Sequence, residues 1–291
     1  PGREVGSTAR VELLGAPYFA LVNRITTSAD AAPSVIADQR DEDSHEHMTL
    51  RLSGSIPATV RGVSYRRRIE NPLRWSGHVF AQALRSQGVA VESDTVVLGP
   101  TPPGAPVLAS QRSAPVGTLI HALGKQSDNF VAEMLWKVIG AERHRPGRAE
   151  DSVVAVRAAL QQAQIDTSRI EIVNGSGLFS GNRIAPSRIA DILVAAFGDP
   201  TIQPEFMASL AIAGVDGTLE NRLRDLPAPR IVRAKTGTLA DVTALSGYVL
   251  GPQRGQAYAF SFLANDVAGR GGPARALADS VGRTLAADLY H

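Results

Sequence analysis

The chain has 291 residues, 44% hydrophobic and 20% charged, with 30 basic against 28 acidic side chains for a net charge of +2. This is enough apolar material for one large or two ordinary cores, which excludes disorder and collagen-like order. The even spread of charge, without a basic block, removes the compositional case for nucleic acid or an anionic membrane surface as partner. The absence of cysteine rules out a disulfide framework and thiolate chemistry and fits an exported bacterial protein. No apolar run reaches membrane-spanning length, no charged-then-apolar leader pattern appears, and the first residue is Pro1 rather than Met, so an upstream segment is expected.

The first part reads as β-rich. Arg10 to Leu14, Tyr18 to Thr26, His47 to Ser53 and Val60 to Arg68 carry β-formers or alternation, and the polar stretch Asp38 to Glu46 reads as a loop. Asn71-Pro72 then introduces a helix over Leu73 to Gln87, with Trp75, Val79, Phe80, Ala83 and Leu84 at helical spacing and Gly88 as the stop. The Pro/Gly-rich stretch Gly99 to Pro106 marks a domain boundary, giving a β-rich region over 1–106 and a second domain over 107–291. Helices are predicted at Pro115 to Leu123, at Phe130 to Ile139 with Val131, Met134, Leu135, Val138 and Ile139 on one face, at Ala149 to Ala163, and at Pro186 to Phe197. A strand at Arg230 to Lys235 precedes an antiparallel hairpin, Ala244 to Leu250 with Ala257 to Ala264. A last helix, Ala274 to Tyr290, places Leu277, Val281, Leu285 and Leu289 in register. Three antiparallel strands with a face to bury need helices stacked on them, the pattern of an α+β domain.

Several chemistries have no motif support. There is no G-x-S-x-G elbow, no phosphate-binding loop and no G-x-G-x-x-G. His45-Glu46-His47 offers two imidazoles but no third ligand at useful spacing, so it reads as a solvated loop rather than a metal site. His78, His121, His144 and His291 are isolated and read as structural. Lysine is the informative residue: of 30 basic side chains only Lys125, Lys137 and Lys235 are lysine. A compact ammonium that can be desolvated does what an ever-protonated guanidinium cannot. Two lysines adjoin short strings, Ser127-Asp128-Asn129 at the start of a predicted helix and Lys235-Thr236-Gly237-Thr238 at the end of a strand. Taken singly, Ser127 or Asp128 can serve as a helix cap and K-T-G can end a strand at a glycine.

Together, in this order and about a hundred residues apart, S-D-N and K-T-G resemble the motif set of β-lactamases and penicillin-binding proteins. Asn174-Gly175-Ser176-Gly177-Leu178, followed by Asn182-Arg183-Ile184-Ala185-Pro186, resembles the D-G-S-G-L…N…P signature of the low-molecular-mass class C penicillin-binding proteins, the D-alanyl-D-alanine carboxypeptidase/endopeptidases. Lys125-Gln126-Ser127-Asp128-Asn129-Phe130-Val131-Ala132-Glu133, Asp216-Gly217-Thr218-Leu219 with Arg222-Leu223, and Ala244-Leu245-Ser246-Gly247-Tyr248 extend the likeness. Leu52 to Pro57 and Glu70-Asn71-Pro72 look like that family's accessory region. Two departures stand out. Asn174 replaces the usual aspartate, which argues against a catalytic charge there, and no serine is followed by lysine at the third position, so the family's S-x-x-K nucleophile motif is absent.

The resemblance implies a penicillin-recognising antiparallel sheet flanked by helices, with a β-rich accessory domain. It implies a serine-type D-Ala-D-Ala carboxypeptidase/endopeptidase that cuts peptidoglycan stem peptides through an acyl-enzyme and is inhibited covalently by β-lactams. The nucleophile would come from an N-terminal fragment or chain carrying S-x-x-K. Ser127, Asn129 and Lys235 are the implied catalytic residues. Thr236, Gly237, Thr238, Lys125, Ser176 and Gly177 are the implied substrate-binding residues. No cofactor or metal is called for, and the cell envelope or periplasm is the implied location. A β-lactamase or esterase on the same scaffold, or a non-catalytic binder of cell-wall peptides, would share the motifs.

Overall fold

A computed structural model describes residues 1–13, 18–41, 47–65, 69–178 and 181–291, in two compact units, Pro1–Ser110 and Gln111–His291.

The first unit is built on strands β1 (Phe19–Ser28), β2 (Ser34–Asp41) and β3 (Met48–Pro57), in the order β1-β3-β2. β3 runs parallel to β1 and antiparallel to β2. Ala9, Ile25, Leu50, Leu52 and Ile56 form its core. The polar run from Asp38 belongs to β2 as far as Asp41, not to a loop; β2 is an end strand of this sheet, where charged side chains face water at little cost. Arg10 to Leu13 joins no ladder, because the chain is tied to β1 one step earlier, by an isolated bridge of Thr8 to Thr26 and by the Ala9 N–H on the Ile25 carbonyl. Val60 to Tyr65 is likewise not a strand. Leu14, Arg66 to Arg68, and His45 and Glu46 of the histidine pair lie outside the described residues.

Helix α1 (Pro72–Ser86) starts where Asn71 and Pro72 predict: the Asn71 side chain accepts a bond from the Arg74 N–H at 3.3 Å. Its buried residue is His78, stacked on the rings of Tyr18 and His47 with centroids 5.5 and 5.0 Å away, while Phe80 stays 65% exposed.

The second unit carries a fully antiparallel sheet, β4 (Ala211–Ile212), β5 (Val232–Thr238), β6 (Thr243–Leu250) and β7 (Ala257–Ala264), in that order. One face buries Val232, Ala234, Leu245, Val249 and Phe260 against helix α7 (Gly271–Tyr290). The other buries Tyr248 among Leu193, Leu210, Phe197 and Phe206, from helices α5 (Pro186–Gly198) and α6 (Gln203–Ser209) and the residue after α6. Burial raises the Tyr248 phenol to about 12, and its hydroxyl donates to the Leu193 carbonyl at 2.6 Å. Because strand side chains alternate, Lys235 lies on the Tyr248 face, opposite Val232 and Ala234.

Helices α2 (Val116–Gln126), α3 (Asn129–Ala141) and α4 (Ala149–Gln162) complete the unit. The face predicted for α3 is not its buried one: Trp136 and Gly140 are buried, whereas Met134, Val138 and Ile139 are exposed. In α7 Ala274, Ala278, Gly282 and Ala286 are buried together with Leu289, and Val281 and Leu285 pack on the same core, so of the four residues in register only Leu277, 58% exposed, stays outside it. Among the described residues no helix is long and apolar enough to cross a membrane.

Candidate active site

The S-D-N string is the joint between two helices. Ser127 is the C-cap of α2, in the left-handed region (φ 55°, ψ 48°), and Asp128 is the N-cap of α3, its carboxylate accepting from the Val131 N–H at 3.1 Å. The capping role thus belongs to Asp128, and Ser127 carries a backbone conformation that is costly for a residue with a Cβ. The helix–helix turn leaves the Ser127 hydroxyl free to meet β5. Lys235 Nζ donates to Ser127 Oγ at 2.7 Å and to the Thr236 carbonyl at 2.7 Å. Burial pushes the Lys235 ammonium below its ordinary value.

β5 runs through the whole K-T-G-T string rather than stopping at Lys235. Thr236 Oγ1 donates to Thr218 Oγ1 at 2.8 Å. Gly237 lies opposite Ala244 of β6, whose Cβ would stand 3.1 Å from a Cβ added at Gly237. Thr238 ends the strand, exposed, and Asn129 opens α3, also exposed.

Lys125 is placed differently from a ligand-facing lysine. It is 6% exposed, and its ammonium donates to the Leu210 carbonyl at 2.6 Å and to both Asp216 oxygens at 3.0 and 2.8 Å. Its protons are committed to protein oxygens, because a buried ammonium without such partners would be prohibitively costly. Asp216 Oδ1 also accepts from the Ile212 N–H at 2.7 Å. Burial pushes the Asp216 carboxyl up, but the hydrogen bonds from Lys125 and Ile212 and the Lys125 charge outweigh it and hold the group below its usual value.

Ser176 and Gly177 lie on a turn that organises itself. Asn174 Oδ1 accepts from the Gly177 N–H at 2.7 Å and from Asn182 Nδ2 at 3.3 Å, and Gly177 has φ +70°. The turn is fastened to α3 by the Ser176 N–H on Glu133 Oε1 at 2.9 Å.

The structure therefore joins Ser127, Lys235 and Thr236 in one bonded set, with Asn129 and Thr238 close by along the chain. It bonds Ser176 to α3 and Gly177 to Asn174 within the turn, and turns Lys125 into the fold. Asp216 and Thr218, absent from the sequence-derived site, both touch its supports; their only signal was the D-G-T-L string. Among the described residues no cluster of three or more His, Asp or Glu could hold a metal. A hydroxyl bonded to a partly desolvated ammonium can relay a proton, and the ammonium together with the threonine hydroxyls at the strand end suits an anionic ligand.

The sheet with helices on both faces and the S-D-N/K-T-G contact are those of a penicillin-recognising α+β fold. Residues 2–282 match the D-Ala-D-Ala carboxypeptidase 3 (S13) family, and the chain belongs to that family, the low-molecular-mass class C penicillin-binding proteins. It is 38% identical over 296 residues to a D-alanyl-D-alanine carboxypeptidase of Actinomadura sp. (strain R39), covering 98% of this chain and 53% of that protein. It is 32% identical over 257 residues to carboxypeptidase DacB of Mycolicibacterium smegmatis, covering 84% of this chain and 54% of the relative. The chain thus spans about half the length of these relatives. Its fold matches penicillin-binding protein 4 (dacB) of Haemophilus influenzae, crystallised with a β-lactam, with a TM-score of 0.76 and 24% identity over 99% of this chain and 67% of that one.

Proposed function

We propose that this chain supplies most of the substrate-handling machinery of a serine-type D-Ala-D-Ala carboxypeptidase/endopeptidase that trims peptidoglycan peptides in the bacterial envelope. The observation that carries the reading is the 2.7 Å bond from Lys235 to Ser127, made across 108 residues between the two motif strings. Family membership and the likeness to two carboxypeptidases support it.

In this reading a serine of an S-x-x-K segment attacks the substrate carbonyl. Ser127 passes a proton to the departing D-alanine or lactam nitrogen, since a hydroxyl accepts and donates at once. Lys235 supplies positive potential beside Ser127 and draws in the anionic peptide terminus. Thr236 and Thr238 offer hydroxyls to the terminal carboxylate, the Thr238 N–H contributes half of the oxyanion site, and the Asn129 amide holds the substrate's peptide carbonyl. Gly237 keeps the strand edge low where substrate must approach. Ser176 and Gly177 border the site from the turn on α3.

The S-x-x-K segment itself is part of the proposal. On α3, Phe130 is 72% exposed and Val138 52%, and among the described residues no strand pairs with the outer edge of β7, eight residues long. Apolar faces and long open edges of this kind are normally covered. The segment packed there would bring its serine within hydrogen-bonding reach of Ser127 or Lys235.

The test is labelled penicillin on the full-length protein, followed by peptide mapping. A stable adduct on a serine outside residues 1–291 is expected. A label on Ser127, or reversible binding of cell-wall peptides with no adduct and no S-x-x-K in the full-length protein, would overturn the reading in favour of a peptide-binding protein. Rapid loss of the adduct would identify a β-lactamase instead.

A further inference from the structure

The two sides of the proposed site, the α2–α3 joint and strand β5, are distant in the chain, and one short turn is bonded to both. At its start Asp216 holds Lys125, across 91 residues, two positions before Ser127. Two residues on, Thr218 accepts the Thr236 hydroxyl, next to Lys235. Between them Gly217 (φ +59°) is pressed on α2: a Cβ there would stand 2.6 Å from the Lys125 carbonyl, so no other residue fits without moving the helix end. Asp216 Oδ1 also takes the Ile212 N–H, which ties the turn to β4 and so to the sheet. Lys125 additionally donates to the Leu210 carbonyl, just before β4.

We propose that the Asp216–Thr218 turn is a brace that sets the spacing of Ser127 and Lys235, with Lys125, Asp216 and Thr218 as positioning residues that themselves touch no substrate. The proposal rests on the reading that Ser127 and Lys235 belong to the site. Lys125 and Asp216 pin the end of α2, from which Ser127 continues in its left-handed conformation. Thr218 fixes the Thr236 hydroxyl on the other side. A hydroxyl has one proton to give, so when a carboxylate claims that of Thr236, Thr218 can turn donor and keep the contact. Proton transfer and carbonyl attack are sensitive to displacements of about 1 Å, which can cost about 100-fold in rate.

The test uses the full-length protein. ¹³C-lysine NMR, with the Lys125, Lys137 and Lys235 signals assigned through single Lys→Arg variants, reports the Ser127–Lys235 contact directly. Asp216→Asn and Thr218→Val should each move the Lys235 signal, leave that of exposed Lys137 in place, and slow β-lactam acylation about tenfold or more without weakening reversible binding in proportion. Thr218→Ser, which keeps the hydroxyl, should restore both signal and rate. Folded variants whose Lys235 signal and acylation rate match the parent would overturn the brace. Should Asp216→Asn fail to fold, Thr218→Val alone decides. The two readings fail separately: if Lys235→Ala leaves acylation untouched, the site assignment falls, whereas an unmoved Lys235 signal in the brace variants sinks only the brace.

Discussion

Two motif regions of the second unit, equally conspicuous as strings of letters, are held in opposite ways. The turn from Asn174 to Leu178 is held mainly by near neighbours in the chain, Gly177 on Asn174 and Asn182 on Asn174, with one distant tie, the Ser176 N–H on Glu133. The S-D-N joint meets K-T-G across 108 residues, and a partly buried cation makes the contact. A string whose polar groups satisfy one another locally is scaffold first. One whose polar group is left over after local needs are met, as the Ser127 hydroxyl is once Asp128 has capped α3, is available for chemistry.

Substitutions can break this comparison. The largest effect is expected for Lys235→Ala, which should slow β-lactam acylation of the full-length enzyme about 1000-fold, in line with the loss of one preorganised electrostatic group. The denaturation midpoint should hardly move. Lys235→Arg should recover part of the rate through charge alone. Stopped-flow acylation beside chemical denaturation gives both numbers, and an unchanged rate would return Lys235 to the scaffold.

Ser127→Ala should cost about 100-fold in turnover, at the lower end for a lost proton relay, with little change in stability because Asp128 holds the cap. Ser127→Asp should not restore the rate.

The turn should behave in reverse. A Cβ at Gly175 would stand 2.8 Å from the Ala132 carbonyl and 2.9 Å from Trp136 Cβ. Gly175→Ala should therefore destabilise the protein by about 1–3 kcal/mol, as overpacking does, while the folded fraction acylates within a few-fold of the parent. A rate loss exceeding the stability loss would make the turn part of the site.

The smallest effects concern pH. The Asp216 carboxyl is lowered in the folded state, so the stability it contributes is fully present above its unfolded value of 3.8 and is lost as pH falls through the folded value below that. Asp216→Asn should flatten the acid limb of a stability–pH curve. The lowered Lys235 gives a slope of the same sign at alkaline pH: burial of the ammonium costs stability at neutral pH, and between its folded value and 10.5 the unfolded chain binds more protons, so stability rises with pH while acylation falls as the ammonium is lost. An alkaline limb unaffected by Lys235→Ala would contradict the assignment.

Much of the architecture is written in local chemistry. Asn71-Pro72 starts α1, Pro186 opens α5, Asp128 caps α3, and the six-residue turn from Gly251 to Gln256, with Pro252 and Gly255, makes the β6–β7 hairpin, each because the residue satisfies or forbids a particular backbone bond. β4 and the 3₁₀ turn over Gly217–Leu219 carry no such signal, and α6, with Pro204 in its first turn, is too short to show a period; they exist only where the rest of the fold leaves room. The inward face of α3 differs from its periodic one for a related reason: Trp136 and Gly140 turn inward, not Met134, Val138 and Ile139. Periodicity records which side chains share a face, not which face the neighbouring elements cover.

The sequence by itself determined the family, through motif order and spacing, together with the helix starts and the antiparallel hairpin. Only the tertiary structure decided that β3 runs parallel to β1, and what each lysine does. Lys125 and Lys235 look alike in a chain otherwise furnished with arginine, each beside a motif. One is extinguished by Asp216 and the Leu210 carbonyl, the other is poised on a serine hydroxyl in a left-handed turn. The physical reason is that an ammonium's role is set by the oxygens within about 3 Å and by the water excluded around it, and those oxygens come from residues 91 and 108 positions away.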